Sequence, residues 1–149
     1  MSGAHIPVAP GTAVAVHAGG VAGLCDRTRD HLVATDRADD PFQAARLADL
    51  YGLAEAAAGA VRRVADDWFA PGNDARMMRV AAARLVVADA AERAIVLAQQ
   101  SVGLAGHFRD HPLAAMLTDL AVYLRQPAPD AQRLRVGAAV ASGALVPSL

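Results

Sequence analysis

The sequence predicts an all-α fold, an up-down four-helix bundle with room for a fifth short helix, on three observations. Ala is abundant, aromatic residues make up only 4% of the chain, and no long stretch alternates Thr, Val, Ile and Tyr as strands do. With 149 residues, 54% of them apolar and 19% charged, one domain can close around a sizeable core. Residues 1–11 read as a flexible N-terminal segment and residues 12–149 as a single bundle.

A first helix is expected from Thr12, whose hydroxyl suits an N-cap, through Val16, Leu24 and Arg27 to about Ala34. Gly19, Gly20 and Gly23 each cost a helix interior roughly 1 kcal/mol relative to Ala. They either let a neighbouring helix come close or mark a later start near Val21. Thr35 to Asp40 has turn chemistry, and Pro41 suits the first turn of a second helix running to about Trp68. Leu47, Leu50, Ala54, Ala57, Ala58, Val61 and Ala65 recur there at helical spacing, while Arg62 and Arg63 precede Asp66 and Asp67 on a solvated face.

Phe69 to Asn73 ends that helix, and Asn73 or Asp74 can cap the third, which runs from Ala75 to about Val102. Met77, Val80, Leu85, Val87, Ile95 and Leu97 are among its apolar positions, too many for one narrow stripe, so this helix is expected to be flanked on several sides. Gly103 and Gly106 close it. After a loop from Leu104 to His111, a shorter helix starts at Pro112 and ends near Arg125, and a last one follows Pro127 and Pro129 with Asp130 as cap.

A net charge of −1 without a basic stripe argues against nucleic-acid binding by bulk electrostatics. All basic residues are Arg, so Schiff-base and Lys-dependent P-loop chemistry are excluded. The single Cys25 cannot form an internal disulfide. Residues 1–25 carry no charged side chain, yet they lack a positive start, and Pro7, Pro10, Gly11, Gly19, Gly20 and Gly23 interrupt any span. A soluble cytoplasmic protein is expected.

Few residues carry chemistry. His107 and His111 bracket Asp110, but Gly106 and Pro112 interrupt a helix through both imidazoles, so no metal is assigned. A ferritin-like di-iron site needs Glu-x-x-His motifs, and neither Glu55 nor Glu92 has His three residues on. Cys25, with Asp26, Arg27 and His31 nearby, reads as buried filler before activated thiol. No Gly-x-Ser-x-Gly elbow or phosphate-binding Gly loop is present.

One stretch is more specific. A long apolar helix ends Ala98-Gln99-Gln100-Ser101-Val102-Gly103-Leu104-Ala105-Gly106-His107. Phe108-Arg109-Asp110-His111-Pro112-Leu113 follows, then Leu117-Thr118-Asp119-Leu120 leading to Tyr123-Leu124-Arg125-Gln126. This resembles the C-terminal helical domain of the acyl-CoA dehydrogenase family. There a long helix ends in a Gly-rich loop, an Arg-(Asp/Glu)-x-Pro turn starts a short helix, and an Arg-Asp pair precedes the active-site loop. Arg109, Asp110 and Pro112 match the turn and Asp119 the Asp of the pair, while Thr118 replaces its Arg. The motifs cover about Asp74 to Arg135, and helix order extends the likeness loosely back to Val21.

The resemblance implies a four-helix bundle that in the family follows an N-terminal helical domain and a middle β-domain, neither of which these residues encode. It also implies FAD, which the family binds between domains of two subunits. Gly103, Gly106 and His107 would then form the Gly-rich loop beside the cofactor. Arg27 falls near the family's Arg-x-x-Phe-Gly signature, although no Phe-Gly follows it. Pro127 stands where many members carry the Glu that removes the substrate α-proton, and a Pro cannot do so. The catalytic candidates are therefore Asp130 and Arg125, with Tyr123 and Gln126 binding substrate.

Two readings of function follow. In the first, the chain is a truncated subunit that joins a larger acyl-CoA dehydrogenase-like partner, or its own copies, to act on an acyl-CoA or acyl-carrier-protein thioester by desaturation or a related flavin-dependent step. Val87 and Leu97 of the third helix would lie in its interface. In the second, a stand-alone non-redox bundle has kept the fold and binds a ligand between helices.

Overall fold

A computed structural model describes residues 10–72, 75–125 and 129–147 of the chain. Helix α1 spans Pro10–Ala34, α2 Pro41–Asp66, α3 Arg76–Val102, α4 Pro112–Tyr123 and α5 Pro129–Ala141, with a 3-10 turn over Gly103–His107. The described residues contain no strand, as the all-α expectation requires.

The ends of these helices follow from side-chain chemistry. Pro10 and Gly11 are already helical, so Thr12 lies inside the first turn of α1 and is not its N-cap. Pro needs no donor at a helix start, which lets the helix open earlier than the hydroxyl suggests. At the other end Asp36 adopts a left-handed φ of 54°, and the Arg37 amide then donates to the Leu32 carbonyl at 2.8 Å. Asp40 caps α2, its carboxylate accepting from the Phe42 and Gln43 amides at 3.0 Å each, ahead of Pro41 in the first turn.

Helix α2 ends at Asp66, two residues short of Trp68. Asn73 and Asp74, read as caps for α3, lie outside the described residues, and Ala75 holds the N-cap position without a side-chain bond. Gly103 ends α3 at φ +70°, a conformation Gly adopts without a Cβ penalty. Part of the expected loop after it is the 3-10 turn. His111 caps α4, its Nδ1 accepting from the Leu113 amide at 3.2 Å. Asp130 sits within the first turn of α5, behind Pro129.

Helices α1, α2 and α3 each pack along the other two. Their short connections make neighbours antiparallel. Leu24, Leu50, Val21 and Val87 are fully buried between them. A row of Ala on α3 (Ala83, Ala90, Ala91, Ala94, Ala98) lets the backbones approach. Each fully buried Leu or Val contributes about 1.5–3 kcal/mol. Helix α3 also touches α4 and α5, so its surplus of apolar positions is spent on four neighbours.

The fourth position of the bundle is divided, where one long helix would complete a regular up-down bundle. Helix α4 lies antiparallel on α1: Leu120 fills the notch at Gly20 and Met116 the notch at Gly23. A Cβ on Gly20 would stand 3.1 Å from Leu120 Cδ1, and one on Gly23 2.8 Å from Met116 Cε. These two glycines therefore mark close approach, whereas Gly19 faces open space. Helix α5 leans on α3, where Arg133 meets Asp89 at 2.8 Å. No helix of the described residues is long and apolar enough to cross a membrane.

Candidate functional site

Of the residues singled out by the resemblance, Gly103, Gly106 and His107 lie where α3 finishes and α4 begins. Gly106 is buried in the 3-10 turn, and His107 is exposed beside it. Both line a small cleft of about 290 Å³ with Ile95 and Gln99 of α3 and Leu117 and Thr118 of α4. Gly103 stands at the turn into this segment. Arg27 is exposed on α1, one helical turn before His31.

The other candidates are not assembled into a site. Tyr123 is exposed at the end of α4, and Arg125 is exposed just beyond it. Asp130 is exposed at the start of α5, where it joins Asp89 and Glu92 in the field that raises the Arg133 pKa, behind the larger effect of the Asp89 hydrogen bond. No hydrogen bond or ion pair among the described residues links Tyr123, Arg125 and Asp130, and Gln126 and Pro127 lie outside those residues. Val87 is fully buried and belongs to the inside of the bundle, while Leu97 is partly buried and packs against the core.

Sequence spacing pairs His107 with His111, but the structure pairs His111 with His31. The two rings meet at 5.0 Å between centroids, with His111 Nε2 3.1 Å from His31 Nδ1. Since His111 Nδ1 already accepts from Leu113, its proton resides on Nε2 and is donated to His31. Burial pushes the His31 pKa down, and His111 and Arg37 push it the same way. Arg37 and Arg46 converge on buried Gln43, whose amide oxygen, turned toward them, accepts at 2.7 and 3.2 Å. Nothing in the spacing of His31 and His111, 80 residues apart, foretells this pin. Only the last-turn position of one and the capping position of the other could have suggested it.

Other chemistry is subdued. Burial, and then Asp26, raise the Cys25 pKa against a smaller opposing effect from Arg29, so the thiol stays protonated. No group of three His, Cys, Asp or Glu side chains comes together among the described residues.

A larger cleft, about 660 Å³, opens at the opposite end between α2, α3 and the C-terminal segment. Ala60 and Val64 of α2 face Ala82, Ala83 and Val86 of α3 across it. Val140 and the stretch Leu145, Val146 and Pro147 form a third wall, and Arg63, Asp67 and Arg79 supply its charge. The sequence contained every one of these residues but no signal that would join them, because the third wall comes from a segment more than fifty positions away on the chain.

A flavin dinucleotide does not fit what the candidate cofactor residues form. The cleft at Gly106 and His107, about 290 Å³, falls just below the roughly 300–1,000 Å³ of ordinary ligand pockets, and Gln99, His107 and Thr118 give its wall a mixed character. No protein-family model, curated protein or solved structure matches the chain.

Proposed function

We propose that the chain is the helical subunit of an acyl-CoA dehydrogenase-like assembly, whose flavin- and acyl-binding domains are carried by a partner. The order of elements carries this reading. A long helix is followed by the Gly-rich turn, the Arg109-Asp110-His111-Pro112 step and a short helix, the order of the motifs on which the resemblance rests. Exposed apolar side chains support it. Phe42, Leu104 and Phe108 are 76%, 74% and 60% accessible, and all three belong to the bundle end that bears Gly103–His111.

On this reading the partner holds FAD, and Gly103, Gly106, His107 and Arg27 contribute at most an edge of its site. The assembly acts on a coenzyme A or carrier-protein thioester, with Tyr123, Arg125, Gln126 and Asp130 near the substrate.

The test is affinity isolation of the tagged chain from its source cells, with mass spectrometry and an absorbance scan of the eluate. A stoichiometric partner and a flavin spectrum are expected. A colourless chain eluting without a partner overturns the proposal. That outcome promotes the second reading, a non-redox binding bundle, which the 660 Å³ interhelical cleft favours.

A further inference from the structure

We infer that the cleft between α2, α3 and the C-terminal segment is a binding site for a small amphiphile with an alkyl tail and an anionic head. Its floor is made by small side chains, Ala60, Ala82 and Ala83, which leave room where larger residues would fill the groove between two helices. Val64, Val86 and Val140 form walls without polar atoms, and the volume of about 660 Å³ lies well inside the range of small-molecule sites.

Charge enters the cleft from both helices. On α2, Arg63 and Asp67 come after Ala60, and on α3, Arg79 comes before Ala82 and Val86. Val64 lies between Arg63 and Asp67 on α2, so the charged residues share the α2–α3 half of the cleft with an apolar wall, and Ala60 and Val86 lie nearer the middle of the bundle. Arg63 folds back along its helix, with Nη1 3.4 Å from where a Cβ on Gly59 would sit. Neither Arg63 nor Arg79 forms an ion pair among the described residues, so two guanidiniums remain to meet an anion, against one carboxylate on Asp67. Guanidinium suits a carboxylate or phosphate because its donors match two oxygens at once and its charge does not titrate away. An alkyl tail in the groove is then drawn in by apolar burial while the head stays at the wet mouth.

This inference is independent of the flavin assembly, since it concerns the opposite end of the bundle and is tested on the isolated full-length chain. Titration with dodecanoate, kept below the concentration at which it forms micelles, is compared with titration by dodecanol. Calorimetry gives stoichiometry and affinity, and Trp68, one helical turn past Val64, gives an emission signal as the chain's single Trp. One dodecanoate per chain is expected, bound about tenfold tighter than the alcohol. The double variant Arg63→Gln/Arg79→Gln should retain its helical circular dichroism and lose that preference. Val86→Glu, at an exposed wall position, should abolish binding of both probes. The proposal is overturned if the two probes bind equally, if Val86→Glu leaves dodecanoate affinity unchanged, or if sedimentation shows a second copy of the chain in the cleft and no probe binds.

Discussion

Two buried polar side chains behave oppositely because one has a partner and the other does not. Ser101 donates to the Leu97 carbonyl at 2.8 Å, whereas the fully buried Thr28 hydroxyl has no partner among the described residues. A buried hydroxyl without a bond costs about 1–3 kcal/mol. Thr28→Val keeps the shape and removes that cost, so a rise in the urea midpoint is expected, by about 1 kcal/mol in stability. The imidazoles give a second residue-level expectation. His31 and His17 both have pKa values lowered first by burial, with His111 and Arg37 adding to the shift at His31 and Arg84 at His17. The unfolded chain, with imidazoles near pKa 6.5, binds more protons than the folded one just below that pH. Their stabilisation is thus complete above about pH 6.5 and lost as pH falls through the folded values. Denaturation across pH 5 to 8 should show stability rising with pH, and His31→Gln should flatten part of that slope. An unchanged slope would remove the His31–His111 pin from the balance.

At the scale of elements, packing decides what composition leaves open. The glycines of α1 look alike in sequence, yet Gly19 faces solvent and Gly20 faces Leu120. Gly19→Ala should therefore stabilise by about 0.5–1 kcal/mol through helix propensity. Gly20→Leu should cost about 1–3 kcal/mol by forcing α4 from its seat. Thermal denaturation of both variants checks the pair, and a gain at both positions would mean that α4 does not rest on α1. The boundaries of α2 and α3 were legible to within two residues, because Asp40, Pro41 and Gly103 act on the backbone next to them. Thr12 misled because Pro10, which needs no backbone donor, already stands inside the helix. The candidate site was less legible. Gly106 and His107 do share a cleft, but Val87 is fully buried and Leu97 only partly so, since an apolar residue on a helix with four neighbours has no periodicity that separates core from interface.

For the whole molecule, the distinction between inside and outside becomes a test of assembly. Val87→Asp places an unpaired charge in the core, costs several kcal/mol and should unfold the chain outright. Leu104→Asp and Phe108→Asp alter exposed positions and should leave the melting temperature within a few degrees of the parent chain while reducing recovery of the partner proposed above. If both variants still recover it in full, the proposed docking at this end of the bundle is overturned.

The divided fourth helix has a dynamic consequence. Among the described residues, helix α5 packs on α3 and shares one exposed ion pair with it, while α1, α2 and α3 hold one another. An exposed pair contributes only about 0–1 kcal/mol. The free energy needed to detach residues 129–147 is accordingly a fraction of that needed to part the three long helices. Amide hydrogens of α5 should exchange with solvent long before those of α3, by native-state hydrogen exchange followed by mass spectrometry. Because Val140 and Leu145 to Pro147 make one wall of the cleft, the same local opening is a door: a guest can enter by a partial unfolding that leaves the global fold standing.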